Sequence, residues 1–211
     1  MAFLKFIDEV GANNFLSGNL WLKSVKEYRA QENAAVVGKQ DFEEGRFFTK
    51  KYTTPNGIPI NIRLESDGDI GHALCLYHMS DELDVNGLKR MTEFGNYVVI
   101  IKDEQEFIRR LDIAVKELAY SFLRRDVFYY SESIEDEIEA MQLLSLGKEY
   151  FPFLKREADF SFQKEYRYLV IDATKSEEKW LKIKIGDLSD VAEIQLSDVF
   201  LAAHCTDVTC R

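Results

Sequence analysis

The sequence is poor in the residues that cross-link a fold or separate domains. Its 211 residues include three cysteines, three prolines and three histidines. An odd number of irregularly spaced cysteines argues against a disulfide framework, and few histidines restrict triad and multi-histidine metal chemistry. Because no low-complexity linker or proline-rich stretch marks a boundary, we expect one globular domain over residues 1–211.

Long apolar segments are also missing. Asp8 and Glu9 interrupt the apolar N-terminal run too early for a signal peptide. No apolar stretch approaches the roughly 20 residues that a membrane-spanning helix needs. We therefore expect a cytoplasmic protein that does not use a membrane as a partner.

The motifs of several large enzyme classes are absent. The chain contains no phosphate-binding P-loop, no G-x-G-x-x-G, no H-E-x-x-H, no C-x-x-C and no G-x-S-x-G. Interpretations as a kinase, a Rossmann-type dehydrogenase or a zinc hydrolase therefore have no support in the sequence.

Positive charge is scarce relative to negative charge. There are 37 acidic and 27 basic residues, which give a net charge of −10. An acidic surface repels the phosphate backbone, so the composition argues against general nucleic-acid binding. The same surface is compatible with a protein that engages a basic host protein.

What the sequence does contain is a series of short apolar segments between turns. Hydrophobic residues make up 46% of the chain and charged residues 30%, as in globular proteins. The patterns predict short helical pieces over 3–17, a loop over 30–46, helices at 103–118 and 133–147, and strands at 20–22, 47–52, 58–64, 73–79, 96–101, 126–130, 165–171, 180–185 and 193–196. Strands that outnumber irregularly placed helices favour an α+β fold with a mostly antiparallel sheet. A mixed α/β fold is the alternative.

The ends of several elements carry recognisable signals. Asp103 followed by Glu106 is typical of a helix N-terminus, as is Ser133 before the second long helix. Gly18 and Gly147 are suited to end helices. The turn 55–57, Pro-Asn-Gly, predicts a hairpin.

Polar residues cluster where predicted strands begin or end. Ser80 follows the strand at 73–79, while Gln163, Glu165 and Arg167 open the strand at 165–171. Tyr28 and its neighbour Arg29 follow the first short strand. If the sheet presents Ser80 and Glu165 at one rim, these side chains would form a site.

Several short pieces occur in a characteristic order. They are Gly18-x-Leu20, Tyr28-Arg29, Asp41, Glu44-Gly45, Met79-Ser80, Phe94-Gly95-x-Tyr97, Phe153-x-Lys155, Phe160-x-x-Gln163-x-Glu165-x-Arg167 and Ile185-Gly186-Asp187-Leu188. In this order, from about Phe15 to Leu196, the chain resembles the DUF2971-like family of bacterial and phage proteins. The resemblance implies a phage or prophage setting, and the family itself implies no settled activity.

An analogy supplies a mechanism to test. Folds of the ADP-ribosyltransferase type use a basic or polar residue on an early strand, a Ser or Thr at a middle strand end and a late glutamate, an order matched by Arg29, Ser80 and Glu165. Glu165 would stabilise the oxocarbenium-like sugar as nicotinamide leaves, and Arg29 would hold the pyrophosphate. Tyr28 or Tyr97 would stack on nicotinamide. The ligand would then be NAD, and the reaction ADP-ribosyl transfer or glycohydrolysis.

The alternatives stay open at this point. In the NAD-binding interpretation, Gln163 and Arg167 are further ligand contacts. Arg29 and Glu165 would equally suit a structural ion pair. His78 suits a base, a metal ligand or a satisfied core histidine. The acidic segment 41–44 would bind a divalent cation or lie in a solvated loop, and we assign no metal ligands. The competing function is a non-catalytic acidic protein that binds or inhibits a host protein.

Overall fold

The computed structural model describes residues 2–29, 47–65, 70–79, 84–131, 133–171 and 178–205. The strands are β1 (Ala2–Ile7), β2 (Asn19–Ser24), β3 (Phe47–Thr53), β4 (Pro59–Glu65), β5 (His72–Met79), β6 (Tyr97–Ile101), β7 (Ser121–Asp126), β8 (Phe128–Tyr130), β9 (Leu154–Arg156), β10 (Glu165–Ile171), β11 (Trp180–Lys184) and β12 (Ala192–Leu196). The α-helices are α1 (Glu9–Leu16), α2 (Val25–Arg29), α3 (Val85–Met91), α4 (Glu104–Glu117), α5 (Ile134–Ser145), α6 (Glu157–Phe160) and α7 (Ser197–Cys205).

An eight-stranded sheet with antiparallel pairing forms the centre of the fold. β3 and β4 form a separate antiparallel hairpin, and β8 pairs with β9 in parallel. The α+β fold with a mostly antiparallel sheet is therefore confirmed.

The central strand β5 has an unusual neighbourhood. Its residues Ala73 and Tyr77 both pair with β10 on one edge. On the opposite edge Ala73 pairs with β2, whereas Tyr77 pairs with β1. β1 and β2 therefore share one edge of β5 at different heights and separate from each other between those points. We call this place the strand fork; α1 connects its two branches.

The two faces of the sheet are packed differently. One face carries a single large apolar cluster that includes residues of α1 and α4. The other face carries two smaller clusters, one containing Ala73 and Leu169, the other containing Leu4 and Tyr77. Because side chains alternate along a strand, Glu165 and Arg167 project from the same face as Leu169. A polar group therefore lies where the two apolar clusters meet.

Three predicted elements differ from the structure. The helical pieces predicted over 3–17 are wrong for the first part, because residues 2–7 form β1. This strand pairs with both β5 and β6 and buries both faces, so it lacks the alternation typical of a half-exposed strand. Residues 85–91 form α3, where the sequence patterns above predict no helix, and the single strand predicted at 126–130 is split between β7 and β8.

The capping predictions are confirmed. The Asp103 carboxylate accepts the backbone N–H of Glu106 at 3.0 Å, and the Ser133 hydroxyl accepts that of Asp136 at 3.1 Å. Gly18 follows α1 with a φ of +73°, a conformation that favours glycine. In the described part of the chain, no helix combines the length and apolarity needed to cross a membrane.

Candidate functional site

A cavity of about 520 Å³ opens at the strand fork. Its wall is built from β1, α1, β2, α2, β5 and β11, together with the segment from β9 to the start of β10. The charged and aromatic residues that line it are Lys5, Phe6, Asp8, Phe15, Trp21, Lys23, Tyr28, Phe94, Lys155, Glu165 and Trp180. We call it the fork cavity.

The fork cavity is basic although the protein is acidic. Lys5, Lys23 and Lys155 line it, against the carboxylates of Asp8 and Glu165. The guanidinium of Arg167 lies directly behind Glu165, at 2.5 Å from its carboxylate. The local excess of positive charge contrasts with the net charge of −10 on the whole chain. A concave surface with an excess of positive charge favours ligands of negative charge.

A buried ionic cluster forms the floor of the fork cavity. Glu165 accepts from Arg167 at 2.5 Å, and Lys155 Nζ lies 3.2 Å from the same carboxylate oxygen. Lys155 also donates to the side-chain oxygen of Gln163 at 2.9 Å. Burial favours the neutral acid, but the positive charges of Arg167 and Lys155 outweigh it and lower the pKa of Glu165 to about 2. The cluster therefore holds two cations and one anion at neutral pH.

Further contacts fix the geometry of this floor. Arg167 donates to the carbonyl of Pro152, and its side chain is 1% exposed. The backbone N–H of Glu165 donates to the Tyr129 hydroxyl at 2.9 Å. Lys155 lies 5.0 Å from the centre of the Phe160 ring. The cations are therefore held by several elements at once and need little reorganisation to meet a ligand.

Lys5 occupies the fork itself. Its ammonium donates to the Cys75 carbonyl at 2.8 Å. Cys75 lies in the part of β5 between the residues that pair with β2 and those that pair with β1. The lysine thus satisfies a backbone acceptor near the point where the two strands separate, and it places a positive charge in the cavity wall.

Lys23 and Tyr28 lie on the other branch of the fork. The Lys23 ammonium is 4.8 Å from the centre of the Tyr28 ring, and Lys23 is 6% exposed. Burial lowers the pKa of Lys23 to about 8, against the opposing attraction of Glu27. Burial raises the pKa of the Tyr28 hydroxyl, as does its neighbour Cys75, whose thiol lies 3.4 Å away. Tyr28 is therefore a neutral hydrogen-bonding group.

Both tryptophans of the chain stand at this cavity. Trp21 on β2 and Trp180 on β11 have ring centres 6.2 Å apart and planes inclined by 58°. They are 48% and 37% exposed, although tryptophan is usually well buried. Lys182 lies 4.5 Å from the Trp21 ring centre. The pair offers a flat ligand two accessible aromatic surfaces beside positive charge.

The structure brings together part of the predicted site. Tyr28, Gln163 and Glu165 line the fork cavity, and Arg167 contacts Glu165 from behind. Tyr97 is not among the residues that line the cavity, and its assignment to ligand stacking stays a prediction. It lies on β6 and packs against the large cluster of the opposite face, because its strand position directs the ring there.

Other predicted residues fall elsewhere. Ser80 and the acidic segment 41–44 lie outside the described residues, as does the side chain of Arg29, the last residue of α2. His78 donates a hydrogen bond from Nδ1 to the Asp126 carboxylate at 2.7 Å and packs against Phe3 and Tyr166, away from the fork cavity. Within the described ranges, no group of three or more His, Cys, Asp or Glu side chains is arranged to hold a metal ion.

Sequence reasoning missed the residues that make the cavity basic and aromatic. Lys5 stands within the apolar strand segment Ala2–Ile7, and a lysine there is itself a signal of a special environment. Trp21 and Lys23 are two residues apart on β2, a spacing that places both on one face. Lys155 follows the buried Phe153, but no pattern in the sequence shows that it meets Glu165.

No protein-family model, curated protein or solved structure matches this chain. The resemblance to the DUF2971-like family therefore stays a prediction from the sequence.

Proposed function

We propose that the protein binds a nucleotide, with NAD as the expected ligand, in the fork cavity. The observation that carries this proposal is the convergence of three lysines and both tryptophans on one cavity of an acidic chain. In this arrangement phosphate groups lie beside Lys5 and Lys155, and a base or nicotinamide ring lies against Trp21 or Trp180.

The size and chemistry of the cavity suit such a ligand. Its volume of about 520 Å³ lies within the range of roughly 300 to 1,000 Å³ that is usual for small-molecule sites. Stacking of a base on an aromatic side chain contributes about 1–3 kcal/mol, and charge-assisted hydrogen bonds to phosphate are stronger than neutral ones. The combination selects a ligand that is both anionic and planar.

The position of Glu165 bears on catalysis. ADP-ribosyl transfer or glycohydrolysis would require its carboxylate to stabilise positive charge that develops on the sugar. Here Arg167 and Lys155 already offset that charge. The contacts therefore support a role for Glu165 in holding the two cations, and ligand binding is the better supported function.

Isothermal titration calorimetry tests the proposal with a graded set of ligands. NAD and AMP should bind, inorganic phosphate should bind more weakly, and uncharged adenosine should bind weakest. Lys5→Gln should weaken AMP binding about tenfold or more, since a hydrogen bond to a charged group contributes roughly 1.5–3 kcal/mol. Lys184→Gln is the matched control, because Lys184 is exposed on β11 and does not line the cavity.

Two results would contradict nucleotide binding. One is the absence of heat and of thermal stabilisation with each of these ligands at millimolar concentration. The other is equal AMP affinity in Lys5→Gln and Lys184→Gln. Release of nicotinamide from NAD, lost in a folded Glu165→Gln variant, would add the transferase or glycohydrolase reaction to the proposal.

A second candidate function has one specific observation in its favour. Ile134, Ile138 and Met141 of α5 are 67%, 54% and 40% exposed. Their spacing places them on one side of a helix whose first turn is acidic. This surface suits a host protein with apolar and basic groups. Binding of such a protein should be lost in Ile138→Asp and kept in Lys5→Gln; the reverse pattern would remove this candidate.

A further inference from the structure

Lys23 differs from the other lysines of the fork cavity in its surroundings. It is 6% exposed, and its ammonium lies 4.8 Å from the centre of the Tyr28 ring and 5.9 Å from that of Trp180. Within the described part of the chain it forms no ion pair, since Glu27 of α2 is bound by Lys179 at 3.1 Å. Aromatic faces attract a cation less than a carboxylate does, so the charged form of Lys23 is poorly supported.

The charged groups around Lys23 also influence its pKa. The titratable groups that influence it are Glu27, Lys179, Cys75 and Lys5, and Tyr28 lies in contact. Burial is the largest influence and lowers the pKa to about 8, and the positive charges of Lys179 and Lys5 act in the same direction. The fraction of the amine that is neutral near physiological pH is therefore far larger than for an ordinary lysine, and the neutral amine carries a free electron pair.

We propose that Lys23 is a nucleophilic amine that forms an imine with an aldehyde or ketone bound in the fork cavity. The electron pair of the neutral Nζ attacks the carbonyl carbon, and the carbon–oxygen π bond opens to give a carbinolamine. The carbonyl oxygen then leaves with the two hydrogens of the amine as one molecule of water, and the carbon–nitrogen double bond forms. No oxidant or reductant is needed.

The rest of the cavity indicates the class of carbonyl compound. Lys5 and Lys155 stand in the same wall and favour a phosphate or carboxylate group. Trp21 and Trp180 favour a planar or aromatic body. The substrate class is therefore an anionic, planar aldehyde or ketone. This inference shares its cavity with nucleotide binding but does not require a nucleotide as the occupant.

Reductive trapping tests the inference on the intact chain. The protein is incubated with pyridoxal 5′-phosphate, an aromatic phosphorylated aldehyde, reduced with borohydride and mapped by peptide mass spectrometry. Labelling of Lys23 should exceed that of the exposed Lys182 and Lys184 at least tenfold. Its rate should rise between pH 7 and 9 and then level off, whereas exposed lysines should continue to gain reactivity above pH 10. Inorganic phosphate should slow the labelling of Lys23 selectively.

Controls keep the inference distinguishable from nucleotide binding. Lys23→Arg should abolish the dominant adduct, Lys184→Arg should keep it, and circular dichroism should show both variants folded. Even distribution of label over surface lysines, an unlabelled Lys23, or labelling of Lys23 without the plateau in rate would overturn the inference. Dominant labelling of Lys23 in a protein that does not bind AMP would support imine formation and reject the nucleotide. AMP binding by a protein in which Lys23 stays unlabelled would support the nucleotide and reject imine formation.

Discussion

Glu165 and Arg167 stand two residues apart on β10, and a carboxylate oxygen of the first meets the guanidinium of the second at 2.5 Å. The spacing puts both on the face of the sheet where two apolar clusters meet. Lys155 joins from β9. One carboxylate thus organises two cations beneath a cavity, and the strand fork opens that cavity to solvent.

Glu165→Gln should destabilise the protein by about 3 kcal/mol at pH 7, because two buried cations lose their counter-charge. The folded-state pKa of about 2 lies below the ordinary value of 4.5. Stability from this ionised carboxylate is therefore complete above about pH 4.5 and is lost as the pH falls towards 2. Urea unfolding between pH 7 and 3 should show the difference from wild type shrinking with acid.

The control for this change is Glu193→Gln. Glu193 pairs with Lys102 at 2.9 Å, but both side chains are about half exposed. Exposed ion pairs contribute roughly 0–1 kcal/mol. Equal losses of stability in the two variants would contradict a buried, tightly organised cluster around Glu165.

Lys23→Met should raise stability at neutral pH. Burial lowers the pKa of Lys23 in the folded chain to about 8, below the ordinary value of 10.5. The folded state therefore binds fewer protons than the unfolded state between these values, so wild-type stability rises with pH there. At about 1.4 kcal/mol per pKa unit, the gain from the variant is at most about 3–4 kcal/mol below pH 8, and it should diminish towards pH 10.5.

Chemical denaturation at pH 7 and pH 10 measures this gain. Lys184→Met serves as the comparison, because Lys184 is exposed. A gain in stability for Lys23→Met that stays constant from pH 7 to pH 10 would show that better packing, not removal of a poorly supported charge, is responsible.

Gly18→Ala should cost much more stability than Gly57→Ala. Both glycines have positive φ, +73° and +78°, so both variants carry backbone strain of about 1–2 kcal/mol. At Gly18 an added Cβ would also lie 1.7 Å from the carbonyl oxygen of Gly186, whereas at Gly57 nothing lies within 4 Å. Thermal unfolding should therefore separate the two; equal losses would contradict the close approach of these two backbone segments beside the fork.

Local sequence patterns are sufficient to predict many of the strands and helices of the fold. The patterns that predict these elements involve only residues close together in the sequence: the period-two alternation of β4, the apolar run of β5 and the N-terminal cap of α4. β1 was missed because it is buried on both faces and shows no alternation. Its position beside β5 follows from pairing between residues more than 70 positions apart.

The difference between local patterns and long-range pairing also explains which residues of the site could be predicted. Glu165 and Gln163 could be found because polar side chains at the start of a strand are visible in the sequence. The strand fork arises because β1 and β2 share one edge of β5, and no local pattern encodes that. The convergence of Lys5, Lys23 and Lys155 was therefore invisible. The spacing of Tyr97 likewise does not show which face of the sheet its ring occupies.

Trp180→Ala should lower AMP affinity about tenfold while leaving the affinity for inorganic phosphate nearly unchanged. The reason is that a base stacked on an indole loses about 1–3 kcal/mol when the ring is removed, and phosphate has no ring. Calorimetric titration of both ligands measures the two effects separately. Equal weakening of AMP and phosphate would place the phosphate, not the base, at Trp180.

Titration of the intrinsic tryptophan fluorescence with NAD tests the central claim most directly, because both tryptophans of the chain line the fork cavity. Saturable quenching is expected, with an affinity that falls as salt rises and falls about tenfold or more in Lys5→Gln but not in Lys184→Gln. Fluorescence that does not respond to NAD, or a response that is indifferent to salt and to Lys5, would contradict a basic nucleotide site at the strand fork.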